Sequence, residues 1–320
     1  MSQKTTLRPI AMAFAASVAA MAAASIAHAQ TVTPVSADAT PAPVEAAALL
    51  KDLGSAERIQ RSGSLRMLSQ RISATACNRV AGIAAEDADK YLARSVRDYR
   101  RILAGLVEGD DGLGLYGPEQ NRIVLRDVAE MAEVWAPLDA IFADVETDAL
   151  TPEHVAQIAE TVPTLLAMSK QLLGFVVAEY SDPSQMLQSD AVLLQIAERQ
   201  RMLEQEIANA TCLIGDGLAV DASRAKLAEA IPLYEVSLAA LRNGMPEAGV
   251  AAPPTHAIDL WLTDVADRWA EVRPTLDAIA AGDAVSEDDR RFVFEEMNKL
   301  TWMMNVTVGQ YTEASKLLRY

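Results

Sequence analysis

Two arginines and two cysteines carry the chemistry this chain can offer, and they sit in a phrase that occurs twice. Residues 66–77 read RMLSQRISATAC and residues 201–212 read RMLEQEIANATC, with six of the twelve positions identical. Arg66 and Arg201 open the two copies; Cys77 and Cys212 close them. A guanidinium presents planar, fixed N–H donors suited to a planar oxyanion, and two of them bracket such an anion better than one. Eleven residues separate each Arg from its Cys, which on an α-helix leaves the two within about 20° of one face and roughly 16 Å apart along it.

Other chemistry is mostly absent. His28, His154 and His256 have no Cys or carboxylate companions at metal-ligand spacing, so no metal is expected. There is no C-x-x-C-H for a haem and no Glu-x-x-His for a di-iron bundle. No Ser, His and Asp set stands out and no Gly-rich phosphate loop occurs, so the reading is of a protein that is not an enzyme and needs no cofactor. Met297, Met303, Met304 and Trp302 read as core filler on a late helix, as do Trp261 and Trp269.

The elements that must position the Arg and Cys pairs repeat with them. The same offset of 135 residues relates Tyr99 to Tyr234, Leu103 to Leu238 and Gly109 to Gly244. LDAI at 138–141 returns at 276–279, and Tyr180 and Tyr311 close the two halves. Ordered matches of this kind indicate a duplication. Apolar residues recur at three and four positions, with Gly and Pro read as falling between segments, so the chain is expected to be all-α. The spacing predicts helices over 44–80, 85–108, 118–145 and 152–180, then 183–214, 222–241, 253–281 and 286–318. Thr151 before Pro152 is an N-cap signal, Ser286 precedes three carboxylates, and Asp182-Pro183 breaks the chain between halves. Long helices with short loops imply two tandem up-and-down four-helix bundles, 48–182 and 183–320.

Residues 1–29 read as a signal peptide. Lys4 and Arg8 precede an Ala-rich apolar run, and Ala27-His28-Ala29 is an A-x-A cleavage signal. The alternative is an uncleaved anchor, since the run is near the shortest membrane span. No later segment is read as long and apolar enough to cross a bilayer. Residues 30–47, rich in Pro, Ala, Thr and Ser, read as a disordered linker. The expected location is the periplasm. With 44 acidic against 28 basic residues and a net charge of −16, nucleic acid and anionic lipid are poor partners.

The segment SAERIQRSGSLRMLSQRISATACN, Ser55 to Asn78, resembles the first-helix motif of the NarX/PilJ-type sensor domains. These are the periplasmic four-helix domains of nitrate-responsive kinases and of type IV pili chemotaxis transducers. IAERQRMLEQEIANA, Ile196 to Ala210, resembles the PilJ version. The resemblance covers about twenty residues in each half. It implies an anion site in which P-box arginines from two subunits hold one nitrate. It assigns that role to Arg66 and Arg201, with Gly63 and Ser64 allowing close approach. The duplication would place both arginines in one chain, an intramolecular pseudo-dimer.

The second copy departs from the pattern: Glu198 replaces Gly63, Glu204 replaces Ser69 and Glu206 replaces Arg71. These carboxylates raise the electrostatic cost of an anion, or pair with Arg61, Arg71 or Arg199 and lock the helices together. Arg66 and Arg201 are then either anion ligands or members of a salt-bridge network. If the two P-box helices run parallel about a pseudo-two-fold, Arg66 faces Arg201 and Cys77 faces Cys212 as a disulfide, which an oxidising compartment permits. Two separate buried thiols are the alternative. The expected function is binding or sensing of a small oxyanion such as nitrate or nitrite, in concert with a membrane signalling partner. The alternative is a helical interaction protein of the envelope or pilus system.

Overall fold

The computed structural model describes residues 43–143, 150–181 and 188–317; the leader, the Asp182-Pro183 break and residues 30–42 of the linker lie outside them. The described residues form eight α-helices and no strand: α1 Pro43–Val80, α2 Ala85–Glu108, α3 Arg122–Ala143, α4 Pro152–Tyr180, α5 Gln188–Gly215, α6 Val220–Asn243, α7 His256–Ala281 and α8 Glu287–Leu317. α1 therefore begins inside the stretch read as linker.

Each half is an up-and-down bundle for a visible reason. On α2, Ala88, Leu92, Val96, Tyr99, Leu103 and Leu106 recur at three and four positions and are all buried, a stripe of the kind that fills a helical core. α1, α2, α3 and α4 pack in a ring, as do α5, α6, α7 and α8. The rings meet along α1 and α5, and residues 42–320 form one compact unit.

Caps settle several boundaries. Thr151 Oγ1 accepts from His154 N while His154 Nδ1 accepts from Thr151 N, a reciprocal cap that gives His154 its role. Ser286 and Asp289 form the matching cap on α8. α3 starts at Arg122 rather than Pro118, because Asn121 Oδ1 takes the free N–H groups of Ile123 and Val124. Thr255 likewise caps α7 at His256, three residues after the expected Pro253.

Five expectations need correction. Proline does enter helices, at Pro137, Pro163, Pro232 and Pro274. α4 is long and apolar enough to cross a membrane by length and composition. In this fold it packs against α1 and α3 and buries Ile158, Leu165, Leu172 and Val176 in the core. The LDAI words lie one turn out of register. The buried stripes of α3 and α7 superpose at an offset of 134, pairing Trp135 with Trp269 and Phe142 with Leu276. Tyr311 similarly takes the place of Val176, not of Tyr180. Met297, Met303 and Met304 are core, whereas Trp302 is 56% exposed and meets the half-buried Trp261 edge-on at 5.6 Å.

Away from α3 and α7 the offset of 135 holds at the level of backbone conformation. Ala84 and Ala219 both take positive φ, 45° and 46°, at the starts of α2 and α6. The bridges Asp110–Leu115 and Met245–Val250 recur with the same spacing.

Cys77 and Cys212 are joined as a disulfide, with Cα atoms 6.2 Å apart. Val155 of α4 packs beside it from one bundle. From the other, Arg290 of α8 places Nη2 3.1 Å from Cys212 Sγ and pairs with Asp216 at 2.7 Å. The bond closes a loop of 135 residues. Replacing both cysteines with serine is expected to cost about 2–5 kcal/mol in urea denaturation. The wild type under reductant should lose a similar amount.

Candidate functional site

The site begins with the seam between α1 and α5. Gly63, Arg66, Gln70, Ser73 and Cys77 follow a spacing of three and four along α1, and their repeat counterparts are Glu198, Arg201, Gln205, Ala208 and Cys212 on α5. Counterparts meet at both ends. Cys77 bonds Cys212, and a Cβ added to Gly63 would lie 3.7 Å from Glu198 Oε2. Equivalent residues facing each other at 63 and at 77 require parallel helices, as in the layers of a parallel coiled coil. This seam is polar or small throughout and buried, with Gln70 accepting from Asn209 Nδ2 at 3.1 Å.

Arg66 and Arg201 form the charged layer. Both are buried, at 8% and 5% exposure. Burial pulls the Arg66 guanidinium down to about 10, helped by Arg199. Burial does the same to Arg201, where Glu204 opposes the shift while Arg66, Arg61 and Arg71 add to it. Two facing cations thus share one desolvated site. Glu198 answers them: its carboxylate ion-pairs with Arg201 on the same helix. The room left by Gly63 admits that carboxylate, since the added Cβ lies 3.7 Å from both Glu198 Oε2 and Arg66 Nη2. Arg66 Nε donates to Gly63 O at 3.3 Å, while its Nη2 makes no hydrogen bond among the described residues. Arg201 Nη1 donates to Asn305 Oδ1 of α8. Ser64 donates to Gln60 O at 2.9 Å, a bond within its own helix.

The three carboxylates of the second copy do not pair with Arg61, Arg71 or Arg199 among the described residues. Glu198 takes Arg201, and Glu206 takes Lys226 at 3.6 Å. Glu204 accepts from the hydroxyl of Tyr234 at 3.1 Å. Glu198 and Arg201 are three residues apart on α5, a local pair, whereas Lys226 and Tyr234 are supplied by α6, which spacing along the chain does not show.

A second feature escaped the sequence reading. A cleft of about 870 Å³ opens between α1, α2 and α8, with Ser64 and Arg201 reaching it. Six cations line it against three acids, in a protein of net charge −16. The repeat held the signal. Arg61, Arg71, Arg94 and Arg101 line this cleft, while their counterparts in the other half are Ile196, Glu206, Glu229 and Val236. Of the four site residues expected, Arg66 and Gly63 belong to the seam alone, Arg201 borders both seam and cleft, and Ser64 lines the cleft.

Arg58 was also missed. It is buried, ion-pairs with Glu119 at 3.3 Å, donates to Gly117 O at 2.6 Å and lies over the ring of Tyr180. Tyr180 in turn donates to Glu119 at 2.7 Å. Leu193 and Pro254 stand at the equivalent places of Arg58 and Glu119, so the cluster fastens α1, α4 and the loop before α3 in the first half only.

The profile described as type IV pili methyl-accepting chemotaxis transducer N-terminal domain matches twice, over residues 48–161 and 184–290. The chain belongs to this family. The first match ends within α4 and the second within the first turn of α8, and the family is a sensory, non-enzymatic one. No curated protein matches the chain.

Burial raises the Glu204 carboxyl to about 8, against hydrogen bonding from Tyr234 and the charges of Arg201 and Arg71. A carboxyl held above its unfolded value keeps its proton in the folded state while the unfolded chain releases it. Its contribution to stability therefore falls as pH rises from about 4.5 to about 8 and is level beyond. Glu204→Gln is expected to be more stable than wild type at pH 8.5, with the gap closing toward pH 4.5, in urea titrations across that range.

Proposed function

We propose that this chain is a sensory module that binds a small oxyanion at the Arg66–Arg201 layer and works with a membrane signalling partner in or near the periplasm. What supports the reading is the layer itself: one guanidinium from each repeat, buried and desolvated, facing each other across a pseudo-two-fold. Such a pair gains from any anion that brings planar acceptors between the forks. Glu198 is then a tethered competitor that occupies the place of the anion until a ligand displaces it. Arg201, which also lines the open cleft, connects the layer to it. Movement of Glu198 alters the packing of α5 on α1, and this is how occupancy would reach a partner.

The second reading, an interaction protein without a small ligand, is favoured by the same ion pair if Glu198 never leaves Arg201. Calorimetric titration with nitrate and with nitrite separates the two. Glu198→Gly, which copies the first repeat, is expected to bind nitrate about tenfold or more tightly than wild type. Adding Arg66→Ala should abolish the heat. Absence of saturable binding by Glu198→Gly would leave the interaction protein as the reading.

A further inference from the structure

We propose that the cleft between α1, α2 and α8 is a second binding site, centred on Arg71, for an organic carboxylate with a flat or apolar body. The proposal does not depend on the axial oxyanion reading.

Its core is a cation that no described carboxylate meets in direct contact. Arg71 lays its guanidinium over the Tyr91 ring, 4.5 Å from the centroid, and donates from Nε and Nη2 to Asn298 Oδ1 at 3.1 and 2.8 Å. Asn298 is itself oriented, since its Nδ2 donates to Phe294 O at 2.9 Å. One edge of the guanidinium is thus held by a neutral amide and one face by a ring. No described residue accepts from Nη1, and no carboxylate pairs with Arg71 among the described residues. Burial weakens its hold on the proton, lowering it to about 10, with Tyr91, Glu204 and Asp98 opposing the shift and Arg94 adding to it. Glu204 and Asp98 act on the guanidinium only from beyond ion-pair contact; a largely desolvated cation whose direct partners are an amide and a ring is costly, and an incoming anion relieves that cost.

The surroundings repeat the point. Arg61 also borders the cleft with only the carbonyl of Leu113 as a partner for its Nε at 3.2 Å. Lys299 lies exposed on the α8 wall, unpaired with any described carboxylate. The other half of the molecule is the internal control. There the counterparts of Arg71 and Tyr91 are Glu206 and Lys226, which pair with each other. The duplication has closed one copy of this place with its own salt bridge and left the other copy open and cationic. A single site per chain follows.

Size and lining choose the ligand class. A cleft of about 870 Å³ falls in the range of sites for organic molecules and is far larger than a lone inorganic oxyanion needs. Tyr91 and the exposed Trp302 supply ring surface beside the cations, so the ligand has both a carboxylate for the guanidiniums and a body for the rings.

The test is calorimetric titration of the full chain with benzoate, isophthalate and neutral benzamide at low salt. Saturable binding of isophthalate or benzoate but not benzamide is expected, weakening as salt is raised. Arg71→Gln should weaken it about tenfold or more, and Lys299→Ala by a smaller factor. Arg66→Ala, which alters the seam and not this cleft, should change it less than about twofold. Lys299 is exposed and its replacement leaves the core intact, so that variant reports even if Arg71→Gln unfolds in a parallel thermal melt. No saturable binding by wild type, equal binding of benzamide, or carboxylate binding indifferent to both Arg71→Gln and Lys299→Ala overturns the proposal. Loss of nitrate binding alone bears on the seam and leaves this site standing.

Discussion

The fold depends on a seam that does not favour its own closure. Along α1 and α5 the facing layers are Gly63 with Glu198, Arg66 with Arg201, Gln70 with Gln205, Ser73 with Ala208 and Cys77 with Cys212. Little apolar area is buried between them, and the arginine layer sets two like charges against each other away from water. Closure comes from elsewhere. Each helix is also the innermost wall of its own apolar bundle, so α1 and α5 are held by Leu65, Leu68 and Ile72 on one side and Leu203 and Ile207 on the other. The disulfide then fixes their register at one end. Held in this way, the arginines have to be neutralised in place, and Glu198 does this from within the chain.

The two halves show which charges a duplicated bundle can exchange. In the first, Trp135 donates to Asp139, which also takes Arg100. In the second, Trp269 donates to Glu235, which also takes Arg273. Arg100 and Glu235 occupy equivalent places, so the pair has been inverted while the indole keeps its acceptor. The ring contacts persist as well, Tyr99 on Trp135 at 4.4 Å and Tyr234 on Trp269 at 4.1 Å. A salt bridge whose partners swap together preserves both geometry and net charge. The cleft is different. Glu206 and Glu229 stand in the other half where Arg71 and Arg94 line the cleft, and no inverted pair restores the balance, so the positive field gathers on one face.

Polar groups in this seam and at its margins specify position more than they add stability. Glu204 sits fully enclosed with Tyr234 as donor and Thr301 nearby, and its burial is unfavourable to the ionised form. Arg58 and Glu119 are buried in the first half with several carbonyls and the Tyr180 hydroxyl around them. Such clusters tolerate few alternative arrangements, because any shift leaves a charge without its partner. They explain why one repeat can differ from the other in chemistry while its helices keep the same register.

Much was legible in the sequence because it is local. The three-and-four spacing of Leu92, Val96, Tyr99 and Leu103 dictates an amphipathic helix whatever surrounds it, and Thr151 with Pro152 starts one by backbone chemistry alone. The repeated Arg and Cys positions, read as one helix face, already placed the disulfide on an axis. Register between words was less secure: LDAI matched in letters and missed by a turn, since apolar periodicity alone does not say which turn faces the core. Partner choice between helices was not legible. Whether Glu198 meets Arg201 or Arg61, whether Arg71 finds an acid or only Asn298, and whether Trp302 lies in or out depend on which helix stands opposite. That is decided when eight helices close on one another, because electrostatic and packing energies act across distances in space to which spacing along the chain is blind.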